Sequence, residues 1–143
     1  ELRGNVGFVA HQLQLYPGLS GRENLVLAAK LQSIGDAEGR AQKLASTLSA
    51  TEYWDRPLRT YSRGQGQRIS IARALRHEPR LLLMDEPATG LDSASTDAFV
   101  DLLEHEKARG AIIVVVTHEP SFAETVVDRV LHMSRGRLVE ASE

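Results

Sequence analysis

Cysteine is absent from the 143 residues, which excludes a disulfide scaffold, a cysteine nucleophile and thiolate zinc sites. Neither sign of charge is in surplus: 17 Lys and Arg stand against 19 Asp and Glu, a net charge of −2. With no basic block, nucleic acid is not an expected partner. Long hydrophobic runs are also missing. The longest, Ala111 to Val116, falls far short of the ~20 residues a spanning helix needs. Signal-peptide and lipidation motifs, internal repeats, low-complexity stretches and flexible linkers are likewise not found. What is present, 42% hydrophobic and 25% charged residues, is the composition of one ordinary globular domain.

The first half reads as mostly helical. Val6 to Ala10 is a short apolar run, expected to form a buried strand that ends at His11-Gln12-Leu13-Gln14. Ser20-Gly21-Arg22-Glu23 has capping-box spacing and opens a helix expected from about Gly21 to Ser33. Asp36 can cap a second helix bearing Ala41, Leu44, Ala45 and Leu48, and Pro57 interrupts the pattern. Tyr53 and Trp54 are expected to pack in this lobe rather than stack on a ligand.

The second half alternates strand and helix. Leu81 to Met84, a helix near Ala94 to Arg109, and Ile112 to Val116 are the pattern of a parallel sheet covered on both faces. Ser121 to Glu124 repeats the capping-box spacing, and Val127 to Met133 with Leu138-Val139 read as two closing strands around Arg135-Gly136.

Three segments point to chemistry. Leu81 to Met84 drives a buried strand that releases Asp85 and Glu86 at its C-terminal end, where ligands bind in α/β sheets. Such a pair can divide nucleotide hydrolysis, Asp85 holding Mg²⁺ through water and Glu86 orienting or deprotonating the attacking water. Thr117-His118-Glu119 ends the next apolar strand, so parallel neighbours bring His118 to the same edge, where an imidazole can meet a γ-phosphate. Tyr61-Ser62-Arg63-Gly64-Gln65-Gly66-Gln67-Arg68 precedes a helical stretch whose free amides favour phosphate. That glycine pattern is not a dinucleotide fingerprint, because no buried strand precedes it and Ile69 stands at the third glycine. No second His follows His77, His105 or His118 by four residues, and no Gly-x-Ser-x-Gly elbow occurs. A zinc protease and a serine hydrolase of that kind are therefore disfavoured.

In this order, from about Val6 to Leu138, the segments resemble the ATP-binding subunit of ABC transporters. The resemblance implies an α/β fold: part of a P-loop NTPase (RecA-like) parallel sheet with helices, plus an ABC-type helical subdomain. Residues 1–16 would then hold a strand and the Q-loop, 17–60 the helical subdomain, and 61–143 the signature, Walker B, D-loop and H-loop half. It further implies Glu86 as catalytic carboxylate, His118 as switch histidine and Asp85 as the Mg²⁺ partner. Ser62, Gly64 and Gln65 match the signature, which acts in trans on a nucleotide held by a second copy. Asp92, in Ala88 to Asp92, matches the D-loop, and either His11 or Gln12 takes the Q-loop position.

ATP and Mg²⁺ would be the cofactors. The partners would be a second nucleotide-binding domain, head to tail, and transmembrane subunits at the cytoplasmic face of the membrane. Arg63 stands where the family usually has glycine. This feature, the His11 variation, and the stretches Leu15 to Pro17 and Glu23 to Leu25 look most like the haem-exporter or cytochrome c biogenesis type.

No Gly-x-x-x-x-Gly-Lys-Ser/Thr occurs in the 143 residues, which start at Glu1. The expectation is a chain lacking the N-terminal P-loop part, inactive alone toward ATP, and prone to self-association through sheet edges left uncovered. A soluble ABC ATPase of DNA repair or translation and a non-catalytic interaction module are the rival readings.

Overall fold

Residues 4–139 are described by the computed structural model. Their order is β1 (Val6–Val9), α1 (Gly21–Leu31), α2 (Ala37–Thr47), α3 (Arg63–Leu75), β2 (Leu81–Asp85), α4 (Ser93–Ala108), β3 (Ile112–Val116), α5 (Pro120–Val126), β4 (His132–Ser134) and β5 (Arg137–Val139). β1, β2 and β3 form a parallel sheet in that order, with Phe8, Leu83 and Val114 in one row, and β4 pairs antiparallel with β5.

Local chemistry sets the helix starts. Ser20 Oγ accepts from Glu23 N while Glu23 Oε2 accepts from Ser20 N, so the capping box of α1 is complete. α1 ends at Leu31, two residues short of the expected end, and Ser33 takes a left-handed φ of 55° beyond it. Asp36 caps α2 through Gly39 N. Returning chain then pins the start of α1: Leu58 N donates to Leu19 O, Arg59 N to Pro17 O and Arg22 N to Trp54 O.

α3 is the axis of the fold. Ile69, Ser70, Ile71, Ala72, Ala74 and Leu75 are all buried around its circumference, as expected of a helix packed on every side. It touches α1, α2 and β1. Contact with β1 is close enough that a Cβ on Gly7 would lie 2.6 Å from Ala74 O, so that strand position accepts only glycine.

Three expectations are corrected. The sheet is covered on one face only among the described residues. Val9, Leu82 and Met84 turn inward, whereas Ile112 (65% exposed), Val114 (47%), Val116 (60%) and Phe8 (42%) line an open face. Because side chains alternate across a strand, one uniformly apolar run supplies both the buried and the bare set. The capping box at Ser121 is also not formed. α5 begins one residue earlier at Pro120, with Glu119 as N-cap and no side-chain cap bond. Proline leaves no orphan N–H at the first helical position and its ring presets the helical φ, so the start moves to it. The strand expected from Val127 shrinks to His132–Ser134, and Arg135 and Gly136 make the turn at φ of 50° and 75°.

Candidate functional site

β2 and β3 end side by side, and the site is built from the residues just beyond each strand. Glu86 N donates to Val116 O at 2.8 Å, extending the ladder one residue past β2. Glu86 itself then adopts φ +50°, a left-handed conformation that costs a non-glycine residue about 1 kcal/mol. That turn directs its carboxylate to the end of β3. There, Glu86 Oε1 accepts from His118 N (3.1 Å) and lies 2.7 Å from His118 Nδ1, and Glu86 Oε2 accepts from Thr117 Oγ1 at 3.2 Å. Burial pushes the Glu86 carboxyl up. The hydrogen bond and charge of His118, with the Thr117 and backbone bonds, outweigh this and hold it below the ordinary carboxylate range. His118 is raised by the same hydrogen bond and charge. The acid and the imidazole therefore meet, although 32 residues separate them. Thr117 is the partner that sequence reasoning passed over; a hydroxyl just before a strand-end His was the available signal.

Asp85, the last residue of β2 and laddered to Val116, is half-buried, and its carboxylate makes no hydrogen bond or ion pair among the described residues. A single free carboxylate at a strand end suits Mg²⁺, which keeps most of its water and needs only one or two protein oxygens. An all-protein cage is another matter: no group of three or more His, Asp or Glu able to hold a metal is found among the described residues.

The serine-glycine segment forms the start of α3. Ser62 Oγ accepts from Gln65 N at 3.2 Å and Gln65 Oε1 accepts from Ser62 N at 3.1 Å, a second complete capping box. The same Gln65 oxygen accepts from Arg56, whose guanidinium lies over the rings of Tyr53 and Tyr61. Gly64 is required sterically, since a Cβ there would collide with the carbonyl oxygen of Gly90. The segment is thus pressed against the loop after Glu86. Asp92 in that loop caps α4 through Ser95 N (2.9 Å) and Ser95 Oγ (2.6 Å) and pairs with Arg68 of α3 at 2.7 Å. The two Ser95 hydrogen bonds, aided by the Arg68 charge, hold the Asp92 carboxyl below its usual range. Gln67, buried on α3, donates to Pro87 O at 2.9 Å and ties the same two elements.

Arg63 does not point into free space: its guanidinium donates to His11 O at 3.2 Å, joining the start of α3 to the segment after β1. His11 and Gln12 are both exposed, and Gln12 has no side-chain partner among the described residues.

Residues 1–89 match the family model described as ABC transporter. The chain belongs to the ABC transporter family. Over its full length it is 38% identical to the arginine transport ATP-binding protein ArtP of Escherichia coli K12. It is 35% identical, again over its full length, to the glutamate transport ATP-binding protein GluA of Corynebacterium glutamicum. The chain spans about 60% of the length of each. Among solved structures, a dimeric form of MJ0796, a bacterial ABC transporter cassette, superposes with TM-score 0.80 at 29% identity, covering 87% of this chain and 57% of that one. A second dimeric form of MJ0796, in a post-hydrolysis state bound to ADP and Pi, superposes with TM-score 0.78 at 29% identity, covering 85% and 56%. The α/β cassette fold expected from the motifs is therefore the fold observed.

The haem-exporter subtype is corrected, since these ABC relatives are named for arginine and glutamate transport. Part of the stretch that suggested it serves the fold. Asn24 Oδ1 accepts from Tyr16 N, and Asn24 Nδ2 donates to Tyr16 O and Ser20 O. A lock of that kind carries no information about cargo.

Proposed function

We propose that this chain is the signature-bearing and water-activating part of an ATP-binding subunit that drives an ABC transporter. The single observation that carries the reading is the Glu86 carboxylate gripped by His118 and Thr117 at the shared end of two parallel strands, one residue beyond the free Asp85. Three hydrogen bonds set the orientation of Glu86, and Oε2, engaged only by Thr117, keeps an acceptor position for a water molecule. Glu86 takes the proton of the water that attacks the γ-phosphate, and His118, its pKa raised by Glu86, faces the phosphate side. Asp85 is the residue that would hold Mg²⁺, which when bound offsets phosphate charge.

Ser62, Gly64 and Gln65 face a nucleotide bound on a second copy; with Ser62 N and Gln65 N engaged in the capping box, the amides of Arg63 and Gly64 are those the start of α3 leaves for an anion. Asp92 fixes that helix against the loop after Glu86, and Gln12 rather than His11 supplies the Q-loop side chain, being the one with a free amide. The lobe formed by 17–60 docks membrane-spanning partners, which places the subunit at the cytoplasmic face of a membrane. Kinship with ArtP and GluA supports a polar amino acid as cargo.

The 143 residues alone contain no phosphate-cradling loop, so they are expected not to turn over ATP. Fusing the chain behind a P-loop-bearing segment of an ABC cassette should give magnesium-dependent turnover that Glu86→Gln lowers at least ~100-fold, within the range for loss of a general base. Turnover indifferent to Glu86→Gln overturns the assignment.

A further inference from the structure

A groove lies at the far end of α3 from Ser62, walled by α2 on one side and by α4 on the other. Because α3 has 13 residues, about 20 Å of helix separates this groove from the capping box. Leu44, Leu75 and Leu102 supply its apolar lining, and Lys43, His105 and Arg76 much of its polar lining. Arg76 is only 9% exposed. Its guanidinium donates to the Arg73 carbonyl, but its Nε is buried without a partner among the described residues. The carboxylates in the lining are already taken: Glu78 pairs with Arg40 at 3.0 Å and Glu106 with Arg109. Lys43 and His105, both exposed, make no side-chain hydrogen bond or ion pair among the described residues. Two cations, Lys43 and Arg76, therefore line one groove with no carboxylate of the chain against them. Burial, then repulsion from Arg73, lowers the Arg76 pKa to about 10. An isolated buried charge is costly, and a bound anion offsets that cost.

The groove has a volume of about 330 Å³, within the range of about 300–1,000 Å³ typical of small-molecule sites. Its cations call for an anion, and its three leucines call for hydrocarbon beside that anion. We propose that this groove binds a small organic carboxylate, its charge engaged by Arg76 and Lys43 and its apolar body laid against Leu44, Leu75 and Leu102. Arginine is suited to the task because its planar fork engages a carboxylate through two parallel bonds. His105, on the wall opposite Lys43, can donate a further bond. No residue of the groove belongs to the candidate site, so occupancy requires neither nucleotide nor a second copy.

Benzoate, a carboxylate on a rigid apolar ring, is a direct probe. Titrated into the 143-residue chain, it should saturably shift the Arg76 Nε resonance and the methyl resonances of Leu44, Leu75 and Leu102. Benzylammonium, with the opposite charge, should not. Inorganic phosphate, which has no apolar body, should bind at least ~10-fold more weakly than benzoate. Arg76→Gln should weaken benzoate binding at least ~10-fold, as loss of a charge-assisted hydrogen bond does. Lys43→Gln changes an exposed side chain and leaves the core intact, and it should weaken binding by about two- to fivefold. Arg76 also borders a neighbouring groove that includes Leu27 and Leu31. Shifts at those two leucines in place of Leu44 and Leu102 would overturn the proposal. So would the lack of saturation, an equal response to benzylammonium, phosphate binding as tightly as benzoate, or an affinity unchanged in Lys43→Gln.

Discussion

The helical region around α3 and the three-stranded sheet differ in how each finishes its hydrophobic surface. α1, α2 and α3 bury Leu25, Ala29, Ala41, Ala45, Ile69 and Ala72 against one another, closing a core from within the chain. The sheet closes only one side: Val9, Leu82 and Met84 are buried, while Ile112, Val114 and Val116 in the neighbouring register stay open. An amphipathic helix has one stripe to hide and can hide it locally. A uniformly apolar strand has two faces and needs two covers from distant parts of a polypeptide.

The largest expected effect breaks the closed side. Phe99 is fully buried and stacks on Phe122 with ring centroids 5.8 Å apart, so Phe99→Ala should cost about 3–5 kcal/mol in urea unfolding. Val114→Thr on the open face should change stability by less than about 0.5 kcal/mol, yet reduce concentration-dependent self-association in light scattering. Equal losses from the two substitutions would erase the distinction between the faces.

A smaller effect concerns the joint between the regions. Asp92 caps α4 and reaches Arg68 of α3. Asp92→Ala should lower the midpoint of thermal or urea unfolding, with Asp92→Asn recovering most of the loss, as a cap would and an ion pair would not. Failure of Asn to rescue would assign the effect to Arg68 instead.

The smallest effect is a titration at the strand ends. His118 is raised above its ordinary 6.5 and Glu86 is lowered below its ordinary 4.5. What the raised His118 contributes is complete below about pH 6.5 and fades as pH rises through its folded value. What the lowered Glu86 contributes is complete above about pH 4.5 and fades as pH falls through its folded value. The pair is thus whole between these limits, and because His118 is exposed, salt should weaken it. Nuclear magnetic resonance should place the His118 midpoint above 6.5 and move it back toward 6.5 in Glu86→Gln. An unchanged midpoint would mean that the two groups do not interact in solution.

Much of this was legible along the chain. Ser20 to Glu23 announces α1 because a hydroxyl and a carboxylate three residues apart satisfy each other's amides. The apolar runs ending at Asp85 and Thr117 announce parallel strands because nothing polar interrupts them. Ser121 misled, as Pro120 beside it imposes its own backbone preference. Arg73 and Arg76 look like ordinary helix-surface cations in sequence, and only the packing of neighbouring elements over the end of α3 half-buries the first and buries the second.

Taken by itself, the sequence determined element type, order and the strand ends at which the acidic pair and the imidazole emerge, since those depend on periodicity, caps and turn residues within a few positions of one another. Only the tertiary structure decided that Glu86 turns left-handed to meet His118 and Thr117, that Gly64 abuts Gly90, and that one face of the sheet stays bare. Each of these depends on distances between residues far apart in the chain, which are set by which surfaces pack and which find no partner.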